Sequence, residues 1–118
     1  MGYTRGSLMQ PNKRRVKYFV TDDGRDLFFE WFNRLKDARG QVAIVRRIDR
    51  VEDGNFGDHS YVGQGVWELR IHFGPGYRVY YGEDGHFLVI LLCGGDKHSQ
   101  NKDIRKAQEL WQVYRRKK

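Results

Sequence analysis

The sequence holds one cysteine, Cys93, and two prolines in 118 residues. A lone cysteine excludes an internal disulfide and makes a reducing, cytoplasmic setting the natural one. A zinc site is excluded too, because His59, His72, His86 and His98 do not fall at metal-ligand spacings. No apolar run approaches the roughly 20 residues of a membrane span; residues 71–73 and 87–93 are strand-sized pieces. The N-terminus lacks the apolar stretch of a secretory signal. The Gly-x-x-x-x-Gly-Lys-Ser/Thr spacing of a nucleotide-binding loop is missing, and no nucleophile elbow supports a Ser-His-Asp site. Acidic residues are in deficit: 15 Asp and Glu stand against 22 Lys and Arg, for a formal charge of +7. That surplus suits a polyanionic partner, either nucleic acid or an acidic protein.

What is present suits one domain. Hydrophobic residues make up 39% and aromatics 14%, enough for a core without staples. Residues 1–15 read as a flexible N-terminal extension, with Met9 an alternative start, and residues 16–118 as a single domain. Residues 17–20 read as a short strand with Val16, Tyr18 and Val20 on one face. Thr21-Asp22-Asp23-Gly24 offers a helix N-cap. Leu27, Phe28, Trp31, Phe32 and Leu35 then form one wide helical face. A second helix is predicted over residues 37–53, with Ile44, Val45, Ile48 and Val51 inward and Arg39, Arg46 and Arg50 nearly opposite. Gly54 suits the position after its end. The short joint near residues 36–40 predicts an antiparallel helical pair.

The period then changes to two. Trp67, Leu69, Ile71 and Phe73 alternate with Val66, Glu68, Arg70 and His72, a half-buried strand. Gly74-Pro75-Gly76 turns the chain into residues 77–81, with Arg78 and Tyr80 on one face. Asp84-Gly85 is a second hairpin signal. Residues 87–93 are apolar on both faces, and a last helix is predicted over residues 100–116, capped by Ser99. The order β-α-α-β-β-β-α makes an α+β domain: a small twisted antiparallel sheet, an N-terminal helical pair and a C-terminal helix.

The hairpin alternation sets Glu68, Arg70 and His72 across from Arg78 and Tyr80 on one sheet face. Guanidinium forks match a phosphate bidentately. The same face reads equally as solvent-side residues with Glu68 paired to Arg70 or Arg78. After the last strand, Gly94 and Gly95 let the chain bend, and Lys97, His98 and Lys102 follow near a helix N-terminus that favours anions. Cys93 reads as a packed thiol. Arg39, Arg46 and Arg50 read as a solvated helix face or a meeting place for an acidic partner. Arg115-Arg116-Lys117-Lys118 reads as a mobile tail that adds salt-sensitive phosphate attraction.

Four segments in order, Trp67-Glu68-Leu69-Arg70, Gly74-Pro75-Gly76-Tyr77-Arg78-Val79-Tyr80-Tyr81, Leu91-Leu92-Cys93-Gly94-Gly95-Asp96-Lys97 and Gln100-x-Lys102-Asp103-Ile104, carry a resemblance over residues 18–110. The chain resembles the RelE/ParE-family toxins, in their phage Gp49-like or HigB-like addiction-module killer branch. The resemblance implies the same fold as the residue reading. It also implies a toxin of a type II toxin–antitoxin system, an endoribonuclease that cuts messenger RNA on the ribosome with no metal or other cofactor. The implied partners are messenger RNA, the ribosome and a HigA-like helix-turn-helix antitoxin encoded beside it, with operator DNA reached only through the antitoxin complex and no membrane involved. Carried over by position, Arg78 stands where such RNases place a phosphate-stabilising arginine, and Arg70 and Lys97 match further basic positions. Glu68 departs from the family pattern. The catalytic candidates are therefore Arg78, Arg70, Lys97, Glu68 and His72, and the RNA-binding candidates Lys102, His98, Tyr80, Arg46 and Arg50. Two rival readings remain: a ParE-like gyrase inhibitor that cuts nothing, and an inactive phage-derived protein that only forms complexes.

Overall fold

A computed structural model describes residues 13–118. The elements run β1 (Arg15–Tyr18), α1 (Leu27–Arg34), α2 (Ala38–Glu52), β2 (His59–Gly63), β3 (Val66–Ile71), β4 (Tyr77–Asp84), β5 (Leu88–Gly95) and α3 (Gln100–Arg116). The strands form one sheet in the order β1-β5-β4-β3-β2. The fold is α+β as expected, but the sheet is mixed, because β1 pairs with β5 in parallel. The two helices carry the chain from β1 at one edge to β2 at the other, and the β2–β3–β4 meander returns it to β5 beside β1, the long connection that a parallel pair requires. Most of the predicted N-terminal extension lies outside the described residues. Its last part is tied down: the Arg14 N–H donates to Glu52 O and Arg15 opens β1.

The sheet carries an apolar cluster on each face. On one, Leu69, Ile71, Val79, Tyr81 and Leu91 meet Phe28 of α1 and Ile44, Ile48 and Val51 of α2. On the other, Val66, Tyr80, Ile90 and Leu92 meet Ala107, Leu110 and Trp111 of α3. The helices pack mainly on strands: α1 lies on β5, and α2 on β1 and β3. Each layer seats a tryptophan on a strand glycine. Trp31 of α1 covers Gly94, and Trp111 of α3 covers Gly82.

Caps follow local chemistry. The cap of α1 is Asp26, whose Oδ1 accepts from Phe29 N at 3.0 Å. The residues 21–24 expected to cap it instead close their own turn, with Gly24 N donating to Thr21 O and Gly24 at φ +83°. Asp37 Oδ1 caps α2 through Gly40 N at 2.9 Å, and its Oδ2 accepts from Tyr77 OH at 2.6 Å, so one carboxylate fastens the start of α2 to β4. Ser99 occupies the N-cap position of α3 but makes no side-chain cap bond; its hydroxyl turns to Asp103.

Several expectations at element ends are corrected. Strand β2 lies in a stretch given no element, and pairs antiparallel with β3. It is a short edge strand with a polar, largely exposed outer side, so its alternation is weak. Strand β1 ends at Tyr18, and Phe19 rather than Val20 is buried, under α3 beside Tyr114. Val45 is 45% exposed instead of inward. Phe87 lies before β5 and is 63% exposed. The C-terminal tail is tied by ion pairs, Lys117 to Asp22 and Lys118 to Asp84. Cys93 is a buried thiol, its pKa pushed up to about 12 by burial.

A methyl at Gly82 would lie within 2.5–2.6 Å of the buried Trp111 ring. Gly82 has no positive φ, so the penalty is purely steric. Gly82→Ala is expected to destabilise the fold by about 1–3 kcal/mol, read as a lower urea midpoint with an unchanged slope.

Candidate functional site

The alternation of β3 and β4 places Glu68 opposite Tyr80 and Arg70 opposite Arg78. All four belong to the α3 side of the sheet, since the intervening Leu69 and Val79 join the α1/α2 cluster. Two guanidinium groups facing each other in register repel. Glu68 resolves this: its Oε1 accepts from Arg70 Nε at 2.9 Å and from Arg78 Nη1 at 3.1 Å. Its Oε2 accepts from Tyr80 OH at 3.0 Å and from Gln100 Nε2 at 2.8 Å. The carboxylate is fully buried and holds four donors, close to the acceptor capacity of an ionised carboxylate. Burial alone raises its pKa, but the bonds from Arg70, Gln100 and Tyr80 and the charge of Arg78 outweigh burial and hold it below 4.5. Burial and the Glu68 charge push the Tyr80 phenol far up, so it stays a donor.

The two arginines differ in what they leave free. Arg78 is 9% exposed, and its Nε is buried without a partner among the described residues. Arg70 spends only its Nε on Glu68 among the hydrogen bonds of the described residues, and its side chain is 39% exposed. Its two Nη groups remain to grip a planar or tetrahedral anion. Two guanidinium charges against one carboxylate leave a net +1 beside solvent.

A second group flanks Arg70. The Asp58 backbone oxygen accepts from Arg70 N at 3.0 Å and from Arg47 Nη2 at 2.6 Å. Asp58 Oδ2 lies 2.6 Å from His72 Nε2, and this bond, above all, lowers the Asp58 pKa. His72 lies just past the end of β3 on an exposed stretch, and its Nδ1 enters no hydrogen bond among the described residues. Arg47 is buried against Gly57, and burial lowers its pKa.

The remaining candidates are more scattered. Lys97 is exposed and lies against Gly76 of the β3–β4 turn, at the same end of the sheet as Arg78. His98 is exposed in the turn that Asp96 closes by accepting from His98 N at 2.8 Å. Lys102 lines a separate cleft of about 340 Å³ between α1 and α3, with Arg25, Arg34 and Lys106. Arg46 and Arg50 are on α2, in the other layer of the molecule. Gln100, Asp58 and Arg47 belong to the site's framework and were not singled out from sequence. Gln100 opens the last helix inside the recognised Gln100-x-Lys102-Asp103-Ile104 segment, and that position was the available signal.

Residues 30–112 match the family described as Phage derived protein Gp49-like (DUF891). The chain belongs to that family. The match runs from α1 to α3 and so includes every residue around Glu68. The Gp49-like family sits in the RelE/HigB-like toxin superfamily and is associated with the toxins of toxin–antitoxin systems. A Haemophilus influenzae protein, described as uncharacterized, is 51% identical over 85 residues, covering 72% of this chain and 86% of that protein. Among the described residues of this Gp49-like chain no helix is long and apolar enough to cross a membrane.

The buried cluster makes a pH prediction for the Gp49-like fold. Glu68 titrates lower when folded than its ordinary 4.5. Its stabilising contribution is therefore complete above that value and is lost as pH falls through the folded pKa. Glu68→Gln is expected to cost about 3–5 kcal/mol at pH 7, since it strands buried guanidinium charge. The gap to wild type should narrow only on the acid side, in urea titrations across pH. A gap independent of pH would mean that the carboxylate charge is not what stabilises the cluster.

Proposed function

We propose that this protein is the toxin of a type II toxin–antitoxin pair and acts as a metal-independent endoribonuclease on messenger RNA at the ribosome. The observation that supports this most is the Glu68-anchored guanidinium pair, with the outer fork of Arg70 open to an anion and one positive charge unneutralised. A fork held in place before substrate arrives suits the charge that develops on a phosphate under attack.

The reaction is an in-line attack by a ribose 2′-hydroxyl on the adjacent phosphorus. The P–O5′ bond breaks, and the products are a 2′,3′-cyclic phosphate and a 5′-hydroxyl. Arg70, with Arg78 behind it, stabilises the pentavalent phosphate. Glu68 is spent on four donors and is a positioning residue in this scheme. The 2′-hydroxyl proton falls to His72, whose Nε2 is held by Asp58, leaving Nδ1 for the substrate. Lys97 or His98 delivers a proton to the leaving oxygen. The ribosome supplies further positioning of the RNA. Neutralisation falls to an antitoxin, the partner that the family association supports.

Arg70→Ala keeps a fold close to wild type, because the residue is partly exposed and Arg78 still balances Glu68. It is expected to reduce messenger cleavage by about 10²–10³-fold and to relieve growth arrest, read by mapping new 5′ ends after induction. Full arrest and unchanged cleavage by a folded Arg70→Ala would refute the catalytic assignment. Arrest with intact transcripts and an SOS response would instead mark a gyrase inhibitor.

A further inference from the structure

On the layer away from the arginine pair, α2 turns an unusual face outward. Ala38, Val42 and Val45 follow at i, i+4 and i+7, the spacing of an apolar helical stripe. Val42 is 49% and Val45 45% exposed. Beside them, Ala38, Val42, Ala43 and Phe73 line a groove of about 440 Å³ flanked by Arg39 and Arg46, and Phe73 is 36% exposed. Among the described residues, no acidic one lines the groove. Arg39, Arg46 and Arg50 enter no salt bridge among the described residues, as is also true of Arg34, Lys36 and Lys102, so the charge at this rim is not neutralised by a described carboxylate. Arg39 also sits in the first turn of α2, which has no acidic residue of its own. Positive charge there opposes the helix dipole, so its placement does not serve the stability of the helix.

We infer that this groove is the docking site for an acidic amphipathic helix of the neutralising partner, an inference that rests on the toxin–antitoxin reading above. The apolar stripe accepts the partner's i, i+3, i+4 side chains, as helices do in grooves. The small Ala38 and Ala43 allow close approach. Arg39, Arg46 and Arg50 meet carboxylates at the rim and steer association. Single-stranded RNA fits this surface poorly. Phe73 is the one aromatic among the residues lining the groove, and the alanines and valine beside it offer successive bases no stacking platform; α2 packs on the sheet face opposite the Arg70–Arg78 pair.

The test uses the full chain and the purified product of the neighbouring reading frame, with affinity measured by calorimetry at two salt concentrations. Val42→Asp and Arg39→Glu change exposed side chains, and melting curves check that both variants fold. The expected result is at least tenfold weaker binding for each, a smaller salt dependence for Arg39→Glu, and loss of rescue on co-expression while growth arrest persists. Wild-type affinity in both variants would overturn the groove assignment and leave the toxin–antitoxin reading standing. No binding by the wild-type chain would overturn that reading and the groove with it. Wild-type dimers that become monomers on Val42→Asp would make the groove a self-interface and overturn the partner assignment.

Discussion

A carboxylate buried completely between two strands and a helix organises this molecule. An isolated ionised carboxylate in such a place would cost many kcal/mol, so Glu68 is held there by the donors and positive charge gathered around it. Those donors come from three elements: Arg70 from its own strand β3, Arg78 and Tyr80 from β4, and Gln100 from α3. The cluster therefore specifies register. A slip of one residue in β3 would send Glu68 into the α1/α2 cluster and Leu69 onto the polar side. It also fixes the start of α3, which the Ser99 cap position alone does not secure. Buried ion pairs of this kind are weak evidence of added stability over an apolar replacement. Their value here lies in specifying one arrangement, and in the charge left over.

The two faces of the sheet divide the work. One is closed by α1 and α2 over an almost entirely apolar cluster. On the other, α3 covers Tyr80, Ile90 and Leu92, while the end of β3 carries Arg70 to the surface. The loop before β2 completes that border. Arg47, buried in the α2 layer, reaches Asp58 O, and Asp58 in turn holds the backbone of Arg70 and the ring of His72. A cation of the core thus sets the position of a loop beside the site.

The sheet face that gathers Glu68, Arg70, Arg78 and Tyr80 was legible in the sequence, because strict alternation fixes parity and the Gly74-Pro75-Gly76 turn fixes which residues face. Depth was not legible. Parity sets Glu68 and Arg70 on the same side, yet one is fully buried and the other open, and only the packing of α3 decides which. The parallel placement of β1 also escaped a local reading, since it depends on the path of two helices and three strands between β1 and β5 rather than on one turn. Strand β2 was hidden by its edge position, although the glycines on either side of Gln64, with φ near +98° and +84°, mark the hairpin that joins it to β3. Arg47 drew no reading of its own, because helical periodicity tolerates one polar residue at the margin of a buried face. Gln100 carried no charge to attract notice, although it donates the shortest of the four hydrogen bonds to Glu68.

The carboxylate that restrains Arg70 also reduces the positive charge the site presents, and these effects pull against each other. A free arginine would offer a full charge but would have to give up side-chain freedom worth up to about 2 kcal/mol on binding. Bonded through Nε, Arg70 has given up most of that freedom in the folded state, and its two Nη donors keep a fixed direction. The second guanidinium restores the charge that Glu68 removes. An arrangement of two arginines on one carboxylate therefore combines orientation with a residual positive field, which neither a lone arginine nor a single Arg–Glu pair provides. In the proposed reaction Arg78, buried and with Nε unpartnered among the described residues, acts through its field and through Glu68, while Arg70 is the one placed to touch the phosphate.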